Sequence, residues 1–177
     1  MRGAPRASRR RLGAAAAVLA AVLVGGCAAR SARPPAGGDL ARALSGLVWP
    51  LRFDEARNVR SRYGYRGEGP GVGRYHYGLD LRAVRGEPVY SAGAGVVADA
   101  GAAGAYGRFV RVEHGGGLES FYAHLDRILA RRGDSVRRGQ VIGLAGSTGN
   151  ATGPHLHFEL RWRGRWVDPL AVLPALR

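Results

Sequence analysis

From Trp49 onward the chain reads as short strings in which apolar and polar residues alternate, each string closed by glycine. The clearest is 155–162, where Leu156, Phe158, Leu160 and Trp162 interleave with His155, His157, Glu159 and Arg161. That period of two predicts a strand with one apolar and one polar face. Both histidines then project to the same side, roughly 6.5 to 7 Å apart along the strand, close enough to address one small site. Further strands are predicted at 79–81, 87–92, 95–100, 109–114, 119–124, 140–145 and 166–167, divided by glycine-bearing turns at 101–107, 115–117 and 146–153. On the strand at 119–124, alternation places Ser120, Tyr122 and His124 on one face. Short strands with turns this frequent predict a mostly β domain: a compact, glycine-rich, antiparallel sheet of sandwich or barrel-like form. Two helices are weaker expectations. One covers 39–47, capped by Asp39 and burying Leu40, Ala43, Leu44 and Leu47; the other covers 125–132. No internal repeat or heptad pattern is present, and a monomer is expected.

The N-terminal end breaks the alternation. Arg2, Arg6, Arg9, Arg10 and Arg11 precede an apolar run of 13 residues, Leu12 to Val24. That run is too short to span a bilayer as a helix and has the build of a signal peptide. It closes on Val24-Gly25-Gly26-Cys27, and Cys27 is the sole cysteine of the 177 residues. A lone cysteine in an exported chain forms no internal disulfide, so it is a free thiol or a modified one. Small residues directly before it resemble the lipobox of bacterial lipoproteins. That resemblance implies a lipoprotein signal peptide at 1–26 and a lipidated Cys27 as the mature N-terminus. It also implies an exported, membrane-anchored protein of the cell envelope. Because Ala28 is not the aspartate of an inner-membrane retention signal, the anchor points to an outer membrane facing the periplasm, where the cell has one. Simple secretion with cleavage at a nearby small residue is the alternative. Residues 27–48, rich in Ala, Gly, Pro and Arg, read as the lipidated cysteine and a flexible tether, and 49–177 as the folded domain.

Charge narrows the partners. The net charge is +14, from 27 basic and 13 acidic residues. Five of the basic residues lie in the signal, which leaves 22 against 13, or +9, on the remainder. A basic exported protein is drawn to anionic surfaces such as cell-wall polymers and lipid head groups. No nucleic-acid partner is expected, since export removes it and no nucleic-acid module is recognisable.

The candidate chemistry rests on five histidines: His76, His114, His124, His155 and His157. In His76-Tyr77-Gly78-Leu79-Asp80, Gly78 favours a turn over a continuous helix, and a turn can fold His76 and Asp80 onto one ion. Nitrogen and oxygen ligands of this kind suit zinc, and His157 can supply a third, leaving a position open as in catalytic sites. His124 and His155 would then be uncommitted imidazoles, available to polarise water, shuttle a proton or stabilise an oxyanion. His114 is most simply a structural residue at a strand end. Glu159, on the same face as the paired histidines, either orients a ligand from behind or pairs with an arginine.

At this point several ordered motifs carry a specific resemblance. His76 to Asp80, Tyr122 to Leu125, the run from Gly139 through Gly146-Ser147-Thr148-Gly149 to Gly153-Pro154-His155-Leu156-His157-Phe158-Glu159, the string from Arg60 to Arg66 and Val112 to Gly115 together resemble the lysostaphin-type, or LytM-like, zinc metallopeptidases. The resemblance covers about Trp49 to Leu170. It implies zinc ligands at His76, Asp80 and His157 and catalytic histidines at His124 and His155. It also implies an antiparallel β domain of duplicated-hybrid-motif type with a groove over the metal, and hydrolysis of peptide cross-links in bacterial peptidoglycan. The His-Glu-x-x-His string of the commonest zinc proteases is absent, so histidine and not glutamate must handle the water. Tyr63, Tyr75 and Arg66 are candidates to contact the substrate or an oxyanion, and the stretches 52–59 and 67–75 to border the groove. A second reading is a non-catalytic LytM-like protein that binds the wall or activates a peptidoglycan amidase; the complete ligand set favours the enzyme.

Overall fold

The computed structural model describes residues 44–52, 59–67 and 75–174. The expected signal, most of the expected tether, the expected start of the first helix, and most of the two stretches at 52–59 and 67–75 lie outside them. Twelve strands follow in chain order: β1 (Val59–Ser61), β2 (Gly64–Tyr65), β3 (Tyr75–His76), β4 (Leu79–Arg82), β5 (Pro88–Tyr90), β6 (Gly95–Ala103), β7 (Gly107–Glu113), β8 (Leu118–Ile128), β9 (Ser135–Val136), β10 (Val141–Ala145), β11 (His155–Trp162) and β12 (Arg165–Val167). Ten of them form one sheet whose main path runs β1-β4-β11-β8-β7-β6-β9, with β5, β10 and β12 attached; β2 and β3 pair separately. The pairings along the sheet are antiparallel, as expected of a mostly β, glycine-rich chain.

The alternation read from the sequence is what divides the two faces. Leu79 and Leu81 of β4, Leu156, Phe158 and Leu160 of β11, and Tyr122 and Leu125 of β8 are fully buried in one core cluster, with Ile142 of β10. Phe109, Phe121, Ala123 and Tyr106 pack together on the other side. Leu44, Leu47, Trp49 and Leu173 join the main core, so the folded body reaches back past the boundary drawn at residue 49. There the two ends of the domain are tied together, for the Trp49 indole donates to the Pro174 carbonyl at 2.8 Å.

β8 departs from the sequence reading in two ways. The helix expected at 125–132 does not form; β8 runs on to Ile128, pairing Leu125, Arg127 and Ile128 with β10. So few apolar positions give a helix little to bury, whereas β10 supplies a complete ladder partner. Nor do Ser120, Tyr122 and His124 share a face. Tyr122 is fully buried against Phe158, ring centroids 5.3 Å apart, and its hydroxyl lies 2.8 Å from Ser120 Oγ. His124 instead has φ of 60°, and the register of β8 against β7 shifts around it, from Val110↔Tyr122 to Arg108↔Leu125. This is a β-bulge. The extra residue turns His124 out of the core to the side of Ala123, and its ring centroid comes to 4.6 Å from that of His155.

The Tyr122 hydroxyl accepts from the buried Ala92 amide at 2.7 Å. Tyr122→Phe leaves that amide without its acceptor and is expected to cost about 1 to 3 kcal/mol of stability. Urea unfolding checks this, with the metal content of the folded protein unchanged.

Candidate metal centre

The register of β4 against β11 sets Asp80 directly opposite His157. Leu79 and Leu81 are fixed in the core, so Asp80 must face the other way, toward the histidines. His76 arrives from β3, where it pairs with Gly64, and the Tyr77-Gly78 turn carries the chain into β4. Gly78 is required there by close approach: a Cβ at this position would lie 2.7 Å from the Phe158 carbonyl oxygen and 2.8 Å from His157 Cε1.

Three atoms converge. His157 Nδ1 is 2.8 Å from Asp80 Oδ1, His76 Nε2 is 3.1 Å from the same oxygen, and the two nitrogens are 3.2 Å apart. Ligands about 2.0 to 2.1 Å from a tetrahedral zinc stand about 3.3 Å from one another, so the observed edges lie within about half an ångström of that triangle. All three residues are buried.

The partners behind the three atoms fix what each presents. His76 Nδ1 donates to the Arg62 carbonyl at 2.8 Å, which leaves Nε2 as a lone pair facing Asp80. His157 donates from Nε2 to Glu159 Oε1 at 3.1 Å, which leaves Nδ1 facing Asp80 as well. Two lone pairs and a carboxylate oxygen at such distances repel one another unless a cation or a proton sits among them. Burial acts to lower the His157 pKa, but the carboxylates of Asp80 and Glu159 on either side carry it upward. Burial likewise acts to raise the Asp80 carboxyl, yet the imidazoles of His157 and His76 beside it hold it well below the usual carboxylate range. Arg66 adds a 2.9 Å contact to Asp80 Oδ2. The donor set therefore suits a divalent cation, whose binding displaces a proton.

His124 and His155 stand beside this triangle. His124 Nδ1 donates to the Thr148 carbonyl and His155 Nδ1 to the Gly153 carbonyl, each at 2.8 Å. Both bonds engage Nδ1 and leave Nε2 to the groove. His155 Nε2 is 3.9 Å from Asp80 Oδ1, and burial, with His155 and His157 nearby, lowers the His124 pKa so that it stays neutral. Thr148 is itself held, accepting from the Arg108 amide and donating to the Leu125 carbonyl. Next to it Gly149 passes so close to Gly107 that a Cβ would lie 2.3 Å from the Gly107 amide nitrogen. The five residues singled out in the sequence thus meet in one groove of about 450 Å³, walled by Arg60, Arg66, Tyr106, Asn150 and Thr152.

Residues 74–169, more than half of the chain, match Peptidase family M23. The chain belongs to that family. The peptidoglycan DD-endopeptidase ShyB of Vibrio cholerae is 41% identical over 143 residues, which cover 78% of this chain and 33% of that protein. Among solved structures, a zinc-containing peptidase from Vibrio cholerae superposes with a TM-score of 0.64 at 40% identity, over 72% of this chain and 41% of that one. The catalytic domain of lysostaphin from Staphylococcus simulans gives 0.58 at 33%, over 63% and 87%. The M23 chain described here spans between 21 and 39% of the length of the curated relatives it matches.

Sequence reading missed Tyr106 and left Glu159 unresolved. Glu159 is 1% exposed and, besides His157, receives the Tyr106 hydroxyl at 2.9 Å, Arg161 at 2.8 Å and the Trp166 indole at 3.0 Å. Burial acts to raise its pKa, but hydrogen bonds from His157, Trp166 and Tyr106 hold it at about 2. The signal for Tyr106 was a single aromatic among the glycines of 101–107. His114, by contrast, lies away from the triangle; its Nδ1 donates to the Ala94 carbonyl and its Nε2 is 2.6 Å from Ser120 Oγ, the structural role expected of it. Glu159→Gln keeps the shape but removes the charge that orients His157. Zinc affinity, measured by competition with a chromophoric chelator, is expected to fall 10- to 100-fold.

Proposed function

We propose that this M23 domain is a zinc-dependent endopeptidase that hydrolyses peptide cross-links of bacterial peptidoglycan, with His76, Asp80 and His157 as ligands and His124 and His155 as the proton-handling residues. The observation that carries the reading is the convergence of two imidazole nitrogens and a carboxylate oxygen on one point, with two further imidazoles alongside. The relatives named above, a peptidoglycan DD-endopeptidase and a zinc-containing peptidase, support the same substrate class and metal. Zinc in such a site polarises a carbonyl and lowers the pKa of water to about 7.

The protein's own groups do the rest. His155, locked by Gly153 through Nδ1, takes a proton at Nε2 from the water that attacks the scissile carbonyl carbon. As the carbon–nitrogen bond breaks, that proton passes to the departing amine, and the products are a carboxylate and an amine. His124, kept neutral by burial, stands across from it to hold or relay the proton. Arg60, 2.7 Å from Thr152 Oγ1 through NH2, and Arg66 give the groove wall the positive charge that anionic stem peptides require.

The envelope placement is part of the same proposal. Residues 1–26 act as a lipoprotein signal and a lipidated Cys27 holds the domain to a membrane, supported by the Val24-Gly25-Gly26-Cys27 string. No helix among the described residues is long and apolar enough to cross a membrane.

Digestion of purified sacculi, with mass analysis of the released peptides, tests the activity. His155→Ala and His124→Ala are expected to keep one equivalent of zinc and lose roughly 100- to 10,000-fold in rate, while His157→Ala loses zinc and activity together. Retained zinc in His157→Ala, or wild-type protein that binds or activates without cutting, would count against the reading. For the anchor, Cys27→Ser is expected to leave the membrane fraction or accumulate as an unprocessed precursor on immunoblots of fractionated cells.

A further inference from the structure

One short segment braces two of the three candidate ligands. Ser61 of β1 stands opposite Asp80 of β4, and Gly64 of β2 stands opposite His76 of β3. The segment precedes residues 74–169, the part that matches the family, yet it reaches both side chains from behind. The Arg62 carbonyl receives His76 Nδ1 at 2.8 Å, and Arg66 NH2 donates to Asp80 Oδ2 at 2.9 Å. Backbone pairing on two strands thus sets where the Arg66 guanidinium falls. Its side chain is 31% exposed and lies outside both core clusters, so replacing it spares the fold.

The two oxygens of Asp80 have different partners. Oδ1 belongs to the triangle, 2.8 Å from His157 Nδ1 and 3.1 Å from His76 Nε2, while Oδ2 is held by Arg66. A free carboxylate can give a cation one oxygen or both. For a cation to share Oδ2 here, it would have to approach the guanidinium charge and break a charge-assisted hydrogen bond. Asp80 is therefore confined to one oxygen. With one nitrogen each from His76 and His157, the set stops at three atoms, one short of a closed tetrahedral site. Arg66 also acts on the charge. Its guanidinium draws electron density away from Asp80, whereas Glu159 behind His157 strengthens that imidazole as a donor.

We propose that Arg66 is a positioning residue that restricts Asp80 to one-oxygen ligation and so keeps the fourth position of the centre open to water. The proposal rests on the metal-centre reading above. It gives the Arg60–Arg66 segment a part in the chemistry that its place on the groove wall alone does not require.

The test uses the chain without its signal, loaded with cobalt(II) in place of zinc, because the visible bands of four-coordinate cobalt are several-fold more intense than those of higher coordination. Wild-type protein is expected to take up one equivalent and show the intense band. Arg66→Met is expected to take up one equivalent as well, but with the band reduced several-fold as Oδ2 becomes a second ligand atom. On cross-linked peptide fragments its kcat is expected to fall about 10- to 100-fold with KM unchanged. Arg66→Lys, which returns a charge and a donor, is expected to recover most of the band and of the rate. Arg66→Gln, close in size, covers the case in which Arg66→Met does not fold; it is expected to lose part of the band, and an unchanged band in it overturns the proposal. So does a wild-type band in folded Arg66→Met, or a raised KM with band and kcat unchanged, which would assign Arg66 to the substrate. Loss of cobalt from Arg66→Met and Arg66→Lys alike would mean that the arginine only holds the segment in place, and likewise overturns it. The predicted spectra found together with no hydrolysis by wild-type protein would remove the hydrolase reading and leave the role of Arg66 standing; wild-type protein that takes up no cobalt removes both.

Discussion

Everything in the groove depends on the antiparallel register between Leu79–Arg82 and His155–Trp162. In that register Asp80 faces His157, and the leucines on either side of each close over one core. A slip of β11 by one residue would send His157 into the apolar core and expose Leu156 and Phe158 to water, so burial of the large side chains on both strands enforces the pairing of Asp80 with His157. The candidate metal site is thus arranged by packing alone. Its three converging atoms are mutually repulsive in the unprotonated form, a cost that core burial sustains and a cation relieves.

The same division of labour explains what could be read from the chain beforehand. Strict alternation in 155–162 gave the strand, its two faces and the shared direction of His155 and His157, because side-chain period is a local property. The joining of His76 to Asp80 through a turn was legible for a similar reason: Gly78 interrupts any helix, and only a few residues separate the two. Register between distant strands has no such local signature. That Asp80 and His157 stand opposite each other emerges only when both sheets of side chains are packed.

His124 shows the limit most clearly. Alternation assigned it to the face of Ser120 and Tyr122, yet a left-handed backbone at a non-glycine residue turns it the other way. Histidine is an unremarkable occupant of a strand in sequence, and nothing nearby announces a bulge. The distortion is imposed from outside, by β10 and β11 sharing one edge of a single long strand, and by the Thr148 carbonyl that receives His124 Nδ1. Glu159 was visible as a polar residue on the histidine face, but its role depends on four donors from three separate segments. Such a pocket can be recognised only once those segments meet.

Trp49 near the beginning of the described fold and Pro174 near its end are joined by a hydrogen bond, with Leu44, Leu47 and Leu173 packed into the same core. A unit whose entrance and exit coincide can be spliced into a longer polypeptide as a side branch, since host segments before and after it need not be moved apart. The domain is in that sense a portable cartridge: it can ride at the end of a tether or sit within a larger architecture without altering the strands that carry its chemistry.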